Sequence, residues 1–161
     1  MNEDTESMAE AREIVLRRSI AAPRERVFEA WTDPAQLPRW FGPRGFSTTT
    51  HAIDIRVGGE WRYTMHGPDG TDYPNRIVYR ELVRPERIVY EHDGDIPDDP
   101  TRFHVTVTLV EVEGRTELTS RMRFPTREQR DEVIGFGAVE LGQQTMDKLA
   151  EWVEGRGAAG G

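Results

Sequence analysis

The run "EIVLRRSI" places Ile14, Leu16 and Ile20 on one parity, with Arg18 as the odd member, and predicts a first strand. The pattern then turns helical. In "AAPRERVFEAWTDPAQLPRWFG", Pro23 suits a first helical turn, and Val27, Phe28 and Trp31 fall on one stripe. Asp33 and Pro34 can cap and open a short second helix, which carries Leu37, Trp40 and Phe41 and stops at Gly42-Pro43.

From residue 46 to 124 the alternation is that of strands. Ile53, Ile55 and Val57 share a parity, Gly58-Gly59 supplies a hairpin turn, and Trp61, Tyr63 and Met65 return on one face until Pro68-Asp69-Gly70. The strands "NRIVYREL" and "RIVYEHD" flank a break at Arg84-Pro85-Glu86. After the acidic loop "DGDIPDDP" come "RFHVTVTLVEV", with Phe103, Val105, Val107 and Leu109 aligned, and "RTELTSRMRF" beyond Gly114. Successive strands with short turns predict an antiparallel meander.

The segment beginning "TREQRDEVIGFGAVELGQQTMDKLAEWVEGR" predicts one long helix. Thr126 with Gln129 three residues later resembles a capping box, and Val133, Phe136, Val139, Met146, Leu149 and Val153 form an apolar stripe. Gly135, Gly137 and Gly142 interrupt it, each at a cost of roughly 1 kcal/mol relative to Ala, so they call for close packing or deliberate space. The order of elements is α+β: a curved seven-stranded antiparallel sheet with two short helices after its first strand, its apolar face covered by a long C-terminal helix. One helix cannot fill a strongly curved concavity, so a cavity between the two is expected.

Composition narrows the classes. The chain has 161 residues and no cysteine, which excludes thiol chemistry and disulfides. A net charge of −8 argues against a nucleic-acid partner. No apolar run reaches the ~18 residues of a membrane span, and the acidic start lacks the apolar core of a signal peptide. The expectation is a single domain over 12–154 between disordered ends at 1–11 and 155–161, in a soluble cytoplasmic protein with no membrane insertion.

The candidate chemistry is sparse. His51, His66, His92 and His104 show no HxH or HExxH spacing, so neither a metal nor a cofactor is expected. Parity turns His51 and His92 inward and His66 and His104 outward. Glu140 and Gln144 lie one helical turn apart at the edge of the stripe, where Glu140 could pair with an inward histidine or Tyr79 as an acid–base couple; a solvated flank is the alternative. Trp61, Tyr63 and Met65 read as pocket lining or as plain core, and Trp40 and Phe41 as a mouth or as ordinary packing.

The stretches "SIAAPRERVFEAWTDPAQLPRWFGP", "DIRVGGEWRYTMHGPDG", "RPERIVYEH" and "TMDKLAEWV" resemble the START-like superfamily. Within it they are most similar to the SRPBCC branch labelled activator of heat-shock protein 90 ATPase homologue-like, also called polyketide cyclase-like. The resemblance runs from Arg12 to Glu154. It implies a helix-grip fold with a tunnel between sheet and helix, and small apolar ligands more often than catalysis. The family's chaperone label comes from a cochaperone with a separate N-terminal domain for which this chain has no room. Two positions depart from the family pattern: Leu141-Gly142 stand where Gly-Trp is common, and Asn75 where glycine is expected. If the missing Trp pointed at the sheet, Gly142 leaves its room empty.

The expected ligand-binding set is therefore Trp40, Phe41, Ile55, Trp61, Tyr63, Met65, Asn75, Tyr79, Phe136, Glu140 and Gln144. His51, His92 and Glu140 are the catalytic candidates. The first functional reading is binding of a small apolar or aromatic molecule. The alternatives are a cyclase, dehydratase or hydrolase acting on a polyketide-like substrate, and a module regulating a chaperone ATPase; a homodimer is also open.

Overall fold

A computed structural model describes residues 11–160; of the N-terminal segment expected to be disordered, residues 1–10 lie outside the described residues. The chain runs β1 (Glu13–Ile20), α1 (Arg24–Thr32), α2 (Leu37–Trp40), β2 (Ser47–Ile53), β3 (Glu60–His66), β4 (Asp72–Val83), β5 (Arg87–Asp93), β6 (Phe103–Val112), β7 (Arg115–Arg123), α3 (Arg127–Gly135) and α4 (Ala138–Gly160). The seven strands form one sheet in the order β1-β7-β6-β5-β4-β3-β2. Every pairing is antiparallel. The meander predicted from residue 46 onward is therefore present, and β1 joins its far side by pairing with β7.

Alternation fixes which face is apolar. Ile14, Leu16 and Ile20 of β1, Trp61, Tyr63 and Met65 of β3, and Val105, Val107 and Leu109 of β6 are all buried. Met146, Leu149 and Val153 of α4, the C-terminal part of the predicted stripe, are buried against them together with Ala150. This is the helix-grip arrangement. At the other end α1 and α2 plug the core: Trp31 and Trp40 meet edge to face with ring centroids 4.9 Å apart. The Trp40 indole donates to the Ala30 carbonyl at 3.0 Å.

On the outer face, Asp93 is buried and is held by Arg76 at 2.7 Å and Arg102 at 3.0 Å. Burial alone would raise the carboxyl's pKa. The hydrogen bond from Arg76, helped by the Asp95 amide and Arg102, outweighs that and holds it below the usual range.

Three expectations change. The C-terminal segment is two helices, because the chain breaks at Phe136-Gly137, where Gly137 adopts φ +87°. The break turns Phe136 out to 78% exposure, away from the stripe in which a continuous helix would have placed it. Helix α4 also runs through to Gly160, so 155–160 continue it where a tail is expected. Finally, β2 is bulged: Thr50 faces Tyr63 and Ala52 faces Arg62, leaving His51 as the extra residue. The bulge resets the parity, and His51 is exposed. Among the described residues no helix is long and apolar enough to cross a membrane.

Candidate functional site

A chamber of about 220 Å³ lies between the concave sheet face and the start of α4. Strand β3 contributes Tyr63 and Met65, and β4 Asn75. Tyr90 and His92 come from β5, Phe103 and Val105 from β6, and Ser120 and Met122 from β7. Ala138, Gly142, Thr145 and Met146 of α4 close it from the other side. The loop after α2 adds Phe41, Gly42 and Pro43. Gly42 is needed there: its φ is +112°, and a Cβ would stand 2.6 Å from the methyl of Met65. The Arg44 amide donates to Gln144 Oε1 at 3.2 Å, which ties this loop to α4.

The wall contains no Asp, Glu, Lys or Arg. Three of its polar side chains meet at one corner, where Asn75 Oδ1 lies 2.8 Å and the Tyr63 hydroxyl 3.3 Å from His92 Nε2. The protons there can be placed by elimination. The Asn75 amide nitrogen donates to the Tyr73 carbonyl at 2.8 Å, so Oδ1 must be the end facing His92. His92 Nε2 therefore carries the hydrogen, and Nδ1 keeps a lone pair. The Tyr63 oxygen at best shares the Nε2 proton, so its own O–H remains available to a guest.

Burial pushes the His92 pKa down to about 4, against a smaller opposing pull from Asp93, so the ring is neutral at neutral pH. Burial likewise holds the phenol of Tyr63 well above the usual range, with the neighbouring Tyr90 and Tyr79 adding to the effect. The corner is thus a neutral array of donors and acceptors.

Of the sequence-predicted set, Phe41, Tyr63, Met65, Asn75 and His92 meet at the chamber. Trp61 stacks behind Tyr63 at a centroid separation of 3.8 Å and donates to Thr50 at 3.2 Å, so it braces the wall without lining it. Trp40, Tyr79 and Ile55 pack in or against the core instead. Gln144 acts on the loop and Phe136 faces solvent, while Glu140 and His51 are exposed. His51 is bonded to Thr64 at 2.8 Å. The proposed pairing of an inward histidine with Glu140 is therefore not formed: the bonds of His92 go to an amide and a phenol.

The space expected beneath Gly142 is largely taken, since a Cβ there would come within 2.5 Å of Leu16 Cδ1. Sequence reasoning missed Trp31, Tyr90, Ser120 and Thr145 as lining. For Tyr90 and Ser120 the strand parity held the signal. For Trp31 and Thr145, which sit on helices, nothing in the pattern separates cavity wall from core.

A different polar chain lies on the outer face, where Thr49 contacts His66 Nε2 at 2.7 Å and Asp72 contacts His66 Nδ1 at 2.7 Å. It is a hydroxyl–imidazole–carboxylate sequence, but Thr49 and Asp72 are exposed and lie away from the chamber. Among the described residues no cluster of three or more His, Asp or Glu could hold a metal ion.

The sequence model for the family described as Activator of Hsp90 ATPase homolog 1-like protein matches residues 21–154. No curated protein matches the chain. Among solved structures, a protein from Arthrobacter aurescens is similar at 27% identity, with a TM-score of 0.82 over 91% of this chain and 88% of that one. One from Rhodobacter sphaeroides is similar at 27% identity, with a TM-score of 0.78 over 90% and 93%. A third, from Chromobacterium violaceum, is 29% identical, with a TM-score of 0.74 over 89% and 97%.

Proposed function

The chain belongs to the Activator of Hsp90 ATPase homolog 1-like protein family, and from that starting point we propose that it binds a small, uncharged aromatic or alicyclic molecule carrying one hydrogen-bonding group. The observation that carries this reading is the make-up of the chamber wall, which holds no ionic side chain and is mostly apolar, its polar groups being the neutral Tyr63–His92–Asn75 corner, the hydroxyls of Tyr90, Ser120 and Thr145 and the Trp31 indole. Transferring an ion there would forfeit its hydration with no opposite charge to replace it. An apolar cavity of about 150 Å³ accommodates benzene, so the 220 Å³ here suits a guest of roughly nine non-hydrogen atoms. A carbonyl or hydroxyl on that guest would accept from the Tyr63 O–H, and apolar contact would supply most of the affinity.

The test is calorimetric titration with the neutral compounds indole and acetophenone against the parent and Ser120→Leu. Ser120 faces the chamber from β7, so a larger side chain fills it. Saturable binding of the neutral compounds, lost in the variant, is the expected result. Binding of neither, or equal binding by the filled variant, would overturn the reading.

A second reading, an interaction module regulating a chaperone ATPase, draws on the family's description and on exposed Phe136 beside partly exposed Ile134. It predicts that the protein stimulates an Hsp90 ATPase and that Phe136→Ser abolishes the effect.

A further inference from the structure

Outside the chamber, the end of the sheet where β5 and β7 finish and β6 and β1 begin holds a second concavity of about 270 Å³. Its wall is of a different kind. Arg12, Arg102 and Arg123 line it together with His104, against the single carboxylate of Glu91. We propose that this cleft binds a small organic oxyanion, an aryl carboxylate or aryl phosphate.

Charge is the first argument. Arg80 and Arg102 share Glu91, Arg76 and Arg102 share Asp93, and Arg121 and Arg123 share Glu13. With Arg12, six guanidinium groups face these three carboxylates, with Asp95 also acting on Arg76 and Asp99 on Arg102, although the whole chain carries a net charge of −8. The positive excess is local and stands against the overall field, so it concentrates anions at this one end.

The second argument is unmet hydrogen bonding. Arg12 Nε is buried without a partner, and Arg12 makes no ion pair among the described residues. Arg123 reaches Glu13 only at 3.7 Å, while Arg121 holds the same carboxylate at 2.9 Å. Two of the three guanidinium groups in the wall are thus left with donors to spare. Backbone pairing brings them together, since the Phe124 amide donates to the Arg12 carbonyl at 2.8 Å, next to Arg123. A planar fork of N–H donors suits a carboxylate or phosphate and leaves little for a neutral guest to use.

The apolar part of the wall indicates what the anion is attached to. Phe103 and Phe124 stack with centroids 4.9 Å apart, and Pro125 continues the surface. Phe124 is buried behind this stack, so half-buried Phe103 and exposed Pro125 supply the apolar surface, which a bare inorganic ion would leave uncovered and a flat ring bearing the anion would cover.

The experiment is titration of the full chain with phenyl phosphate, benzoate and inorganic phosphate, followed by two-dimensional amide NMR. Arg12→Gln and Arg123→Gln are the variants; Arg102 is spared because it anchors buried Asp93. Expected are saturable shifts centred on residues 12, 102–104 and 123–125, with the aryl anions binding more tightly than phosphate. Each variant should weaken binding roughly tenfold, and added salt should weaken it further. Shifts confined to Tyr63, His92 and Ser120, no saturation in the millimolar range, or unchanged affinity in both variants would each overturn the proposal. Ser120→Leu should leave this binding intact, so failure here and failure of the chamber reading are separable.

Discussion

Gly142 of α4 and Leu16 of β1 are fitted to one another: a Cβ on the glycine would stand 2.5 Å from Leu16 Cδ1. Gly142→Ala would gain up to about 1 kcal/mol of helix propensity, set against overpacking that costs about 1–3 kcal/mol. The expected outcome in urea unfolding is a net loss of about 1 kcal/mol. In a Leu16→Ala background the obstruction is gone, and the same substitution should stabilise. A pair this close should be strongly non-additive; equal effects in both backgrounds would show that the contact is not tight.

His92 predicts a pH dependence with a definite sign. Its folded pKa of about 4 lies below the ordinary value of 6.5, so between those values the unfolded chain binds the extra proton. The contribution is present in full above pH 6.5, is lost as the pH falls through the window, and levels off near pH 4. From pH 7 to pH 5 the loss should be about 2 kcal/mol. His92→Gln should flatten that part of the profile, as measured by denaturant unfolding at each pH. A parent profile already flat between pH 7 and 5 would count against the burial argument.

Two tyrosines make opposite predictions. Tyr63→Phe keeps the ring stacked on Trp61 but removes the hydroxyl at the polar corner. Acetophenone binding should weaken by about fivefold, in line with one neutral hydrogen bond of about 1 kcal/mol, while binding of a guest without an acceptor should be unchanged. Tyr79→Phe should instead raise stability by about 1 kcal/mol, because the Tyr79 hydroxyl is buried with no partner among the described residues. Thermal and denaturant unfolding of the variant decide it.

How much of this was legible in the sequence varies by element. Strand parity alone put Tyr63, Met65 and His92 on the concave face, because a period of two leaves only one alternative. It failed at His51, where one extra residue between Thr50 and Ala52 reverses every side chain before it relative to those after it. A bulge has no clear signature in "STTTHAI". The helix stripe likewise implied continuity through Phe136, although Gly135-Phe136-Gly137 held the warning. The arginine cleft was invisible for a different reason. Arg102 and Arg123 meet through the β6–β7 hairpin, and Arg12 joins them only because β1 pairs with β7, a register that no local pattern encodes.

The helix break offers the last prediction, a contrast between neighbouring glycines. Gly135 closes α3 with open space where a Cβ would go, so Gly135→Ala should stabilise by about 0.4–1 kcal/mol through the unfolded chain and helix propensity. Gly137 has φ +87°, and its amide donates to the Ile134 carbonyl at 2.9 Å to end the helix. Alanine there would have to enter the left-handed region at about 1–2 kcal/mol. Gly137→Ala should therefore destabilise, or else straighten α3 into α4 and carry Phe136 with it. Since Ala138 and Gly142 line the chamber just beyond the break, straightening would also change guest affinity. Unfolding curves for both variants, with a titration of indole into Gly137→Ala, separate local strain from rearrangement. Stabilisation by both substitutions would mean that the break is not built into this backbone.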